Sequence, residues 1–210
     1  TPPFEQLEQR TLLEMLADVR EVLEANGDGD KPLWITEIGW PVHAAVSEQQ
    51  QAMYLSRAYL LALSAGVEKI CWYTLEDEPG HVVEFEDTFG LLPHDDDPTD
   101  GTVPEPKPSW RALKALADLL GGTRFDVDMS PHYSLPHGVH LLRFATPDRA
   151  RQVLAAWCEE SQYRLSVEPD DGYRWEGWYD FLGAPLEGGG DELILTERPV
   201  YLVESRLFEL

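Results

Sequence analysis

The sequence predicts an α/β segment followed by an all-β segment, with the change of grammar near residue 122. Three observations carry this reading. Helical and strand-like runs alternate up to Gly122. From Thr123 onward the apolar runs are short and separated by turn residues. Between them in importance stands Leu33-Trp34-Ile35-Thr36-Glu37-Ile38, a β-branched and aromatic run that brings a carboxylate to its end before Gly39-Trp40-Pro41 stops further pairing. The domains are therefore set at 1–122 and 123–210.

From Phe4 to Ala25, apolar residues at Leu12, Met15, Leu16, Val19, Val22 and Leu23 recur at the spacing of one helical face, and Asn26-Gly27-Asp28-Gly29 ends the run. The Glu37 strand follows. Ser47 with Gln50 three residues later has the form of a capping box, in which each residue satisfies an orphan N–H of the other. It opens an amphipathic run through Tyr54, Ala58, Leu61, Ala62 and Ala65 to Gly66. Val67 to Tyr73 reads as a second short strand, and the acidic loop Glu76-Asp77-Glu78-Pro79-Gly80 follows it. A third helix is expected from Ser109 to Leu120, stopped by Gly121-Gly122. In the second segment Val139 to Ala145, Gln152 to Trp157, Tyr163 to Val167, Glu192 to Thr196 and Pro199 to Val203 read as strands. They are separated by Thr146-Pro147-Asp148, Pro169-Asp170-Asp171-Gly172 and Gly188-Gly189-Gly190, the pattern of a small antiparallel β-sandwich. Its aromatics Trp157, Tyr163, Trp175, Trp178 and Tyr179 serve as core in the plainer reading and as a sugar platform in the other.

The chain has 210 residues and is 43% hydrophobic, enough for a real core. Its net charge of −23 excludes nucleic acid and anionic membrane as partners, because a phosphate-binding surface needs clustered Lys and Arg, and the lysines are only Lys31, Lys69, Lys107 and Lys114. No apolar run approaches the ~20 residues of a membrane span. The chain opens on Thr1-Pro2-Pro3 without methionine, as a processed or truncated product would. The two cysteines, Cys71 and Cys158, lie in apolar runs of different segments and are expected as buried free thiols.

Several of these stretches resemble one family. Leu33 to Trp40 resembles the seventh-strand nucleophile motif of the large clan of retaining glycoside hydrolases built on (β/α)8 barrels, and Cys71-Trp72-Tyr73 is similar to the eighth strand, which brings an aromatic beneath the sugar. Phe89-Gly90-Leu91-Leu92, followed by Pro106-Lys107-Pro108-Ser109-Trp110-Arg111-Ala112-Leu113, resembles the passage into the last barrel helix. Tyr179 to Pro185 and Leu195 to Leu202 are similar to the end of the β-domain often appended to such barrels. The resemblance implies the last two βα units of a TIM barrel plus a β-sandwich, with Glu37 as the nucleophile. Trp72 and Trp40 are then the sugar contacts, an aromatic face stacking on the apolar face of a pyranose. Tyr73, Glu76 and His43 are further substrate-binding candidates at the same mouth, with structural or solvated roles as their plainer reading. Trp34, one step out of phase with Glu37, is expected to pack against the helices.

The chain departs from this pattern in what it lacks. A full barrel takes ~250 residues. A retaining glycosidase also needs a second carboxyl group ~5–5.5 Å from the nucleophile, to protonate the leaving oxygen and later activate water. The clan carries it in an Asn-Glu pair, and the only asparagine here is Asn26. Glu76, Asp77 and Glu78 are the substitutes the chain offers, although charge runs are usually solvated. Three readings follow: the C-terminal portion of a glycosidase whose acid/base lies elsewhere, a carbohydrate-binding or interaction module, or a partial barrel completed by an upstream segment or by self-association. A carbohydrate is the expected partner. No cofactor or metal is implied, and Asp95-Asp96-Asp97 lacks the spacing of a calcium loop.

Overall fold

The structure, a computed structural model, describes residues 11–79, 85–102, 104–159, 162–187 and 192–207. The expected helical stretch before Thr11, together with Gly80 and Gly188-Gly189-Gly190, lies outside them. The chain falls into two compact units, Thr1–Leu113 and Lys114–Leu210, with the division inside a helix.

In the first unit, helix α1 (Leu12–Ala25) starts at a capping box of Thr11 and Glu14. Leu16 is buried and Leu12 packs beside it, whereas Val19 and Val22, predicted on the same face, are exposed. Strand β1 (Leu33–Ile38), helix α2 (Glu48–Ser64) and strand β2 (Val67–Trp72) form a βαβ unit with a parallel strand pair. The Ser47–Gln50 capping box is formed as predicted. Helix α2 reads as amphipathic but is buried on most of its surface, including Gln51, Ser56 and Arg57. Leu33 and Ile35 of β1 and Val67 and Ile70 of β2 pack with Leu16 and Ala62 into one apolar cluster.

That cluster reverses the predicted facing of β1. Leu33 and Ile35 point at the helices, so Trp34 points away and is 51% exposed, with the Lys69 ammonium 3.9 Å from its ring centre. Cys71 is exposed as well; of the two thiols only Cys158 is buried. Even alternation between Trp34 and Glu37 does not hold, because β1 shifts register against β2 between Leu33 and Trp34 and again between Ile35 and Ile38.

A 3-10 turn (Phe85–Thr88) leads towards helix α3 (Pro108–Leu120), which ends at Gly122, a residue at φ +79°. Among the described residues the second unit holds seven strands: β3 (Arg124–Asp128), β4 (Val139–Ala145), β5 (Arg151–Cys158), β6 (Tyr163–Ser166), β7 (Tyr173–Asp180), β8 (Glu192–Leu195) and β9 (Val200–Arg206). Two of them, β3 and β7, were not expected. Both are edge strands: β3 (RFDVD) is mostly charged, and in β7 (YRWEGWYD) charged residues and Gly177 interrupt the aromatics. The strands form an antiparallel sheet in the order β3-β4-β5-β9-β7 and a β6-β8 ribbon, and Leu141, Leu154, Ala156, Trp178 and Leu202 of the sheet share a core with Leu165 and Leu195 of the ribbon. Trp157 and Trp178 are buried, and Tyr163 and Trp175 pack against the core. Burial of these rings favours their structural reading over a sugar platform.

Candidate active site

Glu37 stands where β1 breaks step. Ile35 pairs with Ile70 and Ile38 pairs with Trp72, so three steps on β1 face two on β2. The extra residue is a bulge that turns both Thr36 and Glu37 to the exposed side. Without it Glu37 would follow Leu33 and Ile35 into the apolar cluster, where an unpaired carboxylate is costly. Among the described residues Glu37 makes no hydrogen bond or ion pair.

The loops after β1 and β2 are held by the segment around residue 90. The Tyr73 N–H donates to the Ile38 carbonyl at 2.9 Å, which sets Tyr73 beside the residue that follows Glu37. The Leu91 N–H donates to Thr74 and Leu75, that of Asp77 to Leu92, and that of Val42 to Thr88. Buried Gln51 joins three pieces: its amide nitrogen donates to the carbonyls of Trp40 (2.8 Å) and Thr88 (3.2 Å), and its oxygen accepts from the Ser109 hydroxyl (3.0 Å). Lys107, only 5% exposed, pairs with Asp77 at 2.6 Å, and Asp77 also accepts the Gly90 N–H at 2.7 Å. Neither Gln51 nor Lys107 was singled out in the sequence. The one sign was a lysine between two prolines, Pro106 and Pro108, a stiff place for a long solvated side chain.

Two glycines allow this close approach. A Cβ on Gly39 would lie 2.2 Å from the Tyr73 carbonyl oxygen and 2.9 Å from the Phe89 ring, and one on Gly90 would lie 2.3 Å from the Asp77 nitrogen. Gly39→Ala is expected to force β1 and the Tyr73 loop apart and to cost about 3 kcal/mol. Urea unfolding followed by tryptophan fluorescence checks this, and an unchanged midpoint would refute it.

The remaining candidates separate by geometry. Trp72 and Trp40 are half-buried, their rings 5.9 Å apart, with Trp40 6.0 Å from Tyr54; the Trp72 indole N–H donates to the Phe89 carbonyl at 2.9 Å. Tyr73 is 37% exposed, with Phe89 set edge-on at 5.4 Å. His43 is half-buried in a tight loop, where its Nδ1 accepts the Ala45 N–H and its backbone pairs with Val46. In the acidic run, Asp77 is committed to Lys107, and Glu76 accepts from the Asp95 N–H and meets His94 Nδ1, both at 3.0 Å. Glu78 is exposed. Asp95 and Asp97 each accept from the N–H two residues on, and the Thr99 hydroxyl bonds to Asp97. These are self-capped turns, and hydrogen bonding to Thr99 holds the Asp97 carboxyl below its usual range. Among the described residues no group of three acidic, histidine or cysteine side chains is placed to hold a metal ion. No helix there is long and apolar enough to cross a membrane.

Neither a family model nor a curated protein matches the chain. Solved structures do. A family 39 glycoside hydrolase from the gut symbiont Bacteroides cellulosilyticus WH2 matches with a TM-score of 0.70 and 24% identity, covering 93% of this chain and 39% of that one. An α-L-arabinofuranosidase from Thermotoga maritima, in an arabinose complex, matches at 0.57 and 10% identity, covering 93% and 48%. A GH39 β-xylosidase from Caulobacter crescentus gives 0.51 and 18%, again covering 93% and 48%. The chain thus spans less than half the length of each of these proteins. At such identities the likeness establishes the fold: this chain folds like part of the GH39 and GH51 glycoside hydrolases.

Proposed function

We propose that the chain is the nucleophile-bearing portion of a retaining glycoside hydrolase, made of the last two βα units of a (β/α)8 barrel and an appended β-domain. Glu37 attacks the anomeric carbon, and an acid/base carboxyl outside this chain protonates the leaving oxygen and then activates water. The observation that carries this reading is the bulge in β1, which lifts one unpaired carboxylate out of the apolar cluster at the C-terminal end of a parallel strand. In barrels of this kind that end is where catalytic groups stand. The fold likeness to glycosidases supports it.

Tyr73 is the first candidate for the sugar platform, because it is 37% exposed and its N–H is bonded to Ile38, the residue after Glu37, while Trp72 and Trp40 are half-buried against each other. Tyr73→Ala is expected to raise KM about 10-fold, the loss of one stacking contact. An unchanged KM in Tyr73→Ala with a raised one in Trp72→Ala would return the role to Trp72. Each strand of the β1-β2 pair has only one partner among the described residues, and Trp34 and Cys71 lie exposed on its face. This favours a barrel completed by a further segment or by a second copy over a freestanding module. The test is hydrolysis of a panel of aryl glycosides by the purified chain, alone and with a completing barrel segment. Turnover in either that depends on Glu37 supports the reading, and a folded, completed protein that binds sugars without cleaving any would leave the binding module in its place.

A further inference from the structure

The second unit contains a buried acid that the proposed function does not use. Glu204 of β9 is 1% exposed and stands opposite Gln152 of β5, also 1% exposed, in the antiparallel register. Directly paired residues share a face, with Cβ atoms about 5 Å apart. Glu204 Oε2 accepts the Asp170 N–H at 3.0 Å, while Glu204 Oε1 and Gln152 Oε1 are both buried without a hydrogen-bond partner. Two oxygens on paired positions thus each lack a donor.

The charged neighbours do not neutralise Glu204. Arg143 of β4 is bound on one side to Asp126 of β3 (2.7 Å) and on the other to Asp170 (2.6 Å), and Arg149 also pairs with Asp126. Arg151 of β5 turns to the Leu119 carbonyl and Glu176 of β7. From β7, Glu204 is met by Trp175. The field of Glu204 and Asp170 reaches Tyr133, whose hydroxyl is raised by burial and then by these two carboxylates, with Glu168 adding to it and Arg143 opposing it. Glu204 is therefore desolvated beside a second carboxylate, and Arg143, committed to Asp126 and Asp170, offsets this only in part.

We infer that Glu204 is held as a neutral acid whose proton bridges to Gln152 Oε1, making the pairing of β5 and β9 a proton-dependent lock on the β-unit. Proton uptake from solvent forms one O–H bond on Glu204 and supplies the missing donor, so both orphan oxygens are satisfied at once. Burial, opposed in part by the Asp170 N–H, raises the Glu204 carboxyl from 4.5 to about 7. A carboxyl raised on folding stabilises the fold fully below pH 4.5, and this contribution is lost as pH rises through about 7. The folding constant of this unit is expected to fall on the order of 10²-fold across that window.

Infrared spectra of the whole chain at pH 6 test this. The carbonyl stretch of a protonated, hydrogen-bonded carboxylic acid is expected, absent in Glu204→Gln, whose amide reproduces the donor permanently. Denaturant unfolding of the same two proteins between pH 4.5 and 8 is expected to show the wild type losing stability relative to the variant as pH rises. Absence of the carboxylic band in the wild type would overturn the proposal, and so would a stability difference independent of pH. Either would mean an ionised Glu204 receiving a donor, such as the Gln152 amide turned the other way.

Discussion

Glu37→Gln is expected to lower kcat of the completed protein by on the order of 10⁴-fold or more with KM nearly unchanged, and to leave the melting of this chain nearly unchanged. A neutral amide of the same shape binds what the carboxylate binds but cannot form the glycosyl-enzyme ester, so the loss falls on the transition state. Stability is spared because Glu37 is exposed and without a partner among the described residues, and surface substitutions of that kind fall within about 0.5 kcal/mol. A small anionic nucleophile such as azide added to Glu37→Ala is expected to restore cleavage with inverted stereochemistry, since it takes the vacated place below the ring. Retained turnover in Glu37→Gln would show that another carboxylate is the nucleophile. Unfolding of the variant would show that Glu37 belongs to the scaffold.

Asp77→Ala is expected to have the largest effect on the first unit, destabilising it by about 3–5 kcal/mol. The substitution strands the Lys107 ammonium, which is 5% exposed and pairs with Asp77 at 2.6 Å, in a place it cannot readily leave. It also removes the acceptor of the Gly90 N–H, so the segment carrying Phe89 loses its anchor next to Tyr73. Replacing both partners, as in Asp77→Leu with Lys107→Met, is expected to recover most of the loss, because two matched apolar groups leave no charge buried alone. Chemical denaturation of the single and double variants measures this. A double variant no more stable than Asp77→Ala would mean that the hydrogen bond to Gly90, not the ion pair, holds the loop.

The acidic run 76–78 illustrates how unequal neighbours in sequence become. Three consecutive carboxylates read alike as a solvated loop. In the fold Asp77 is half-buried and paired with buried Lys107, Glu76 holds the turn at residues 94–95, and Glu78 faces solvent. Their partners lie 13 to 30 residues away along the chain. A local window does not contain that information.

The sequence by itself determined the elements whose signals are local: the βαβ order of the first unit, the capping box at Ser47, the glycine stop at Gly122 and most strands of the second unit. It also determined that Glu37 closes a strand, because Gly39 and Pro41 follow it. Only the tertiary structure decided which way Glu37 faces. Period-two alternation put it with Ile35, and the bulge, a property of the pairing with β2, gave it the opposite direction. The same holds for Gln51, Lys107 and Glu204. Apart from the prolines flanking Lys107, nothing adjacent in the chain marks them as buried, since a polar residue is tolerated inside only where distant segments bring it a partner, or where a proton takes that partner's place.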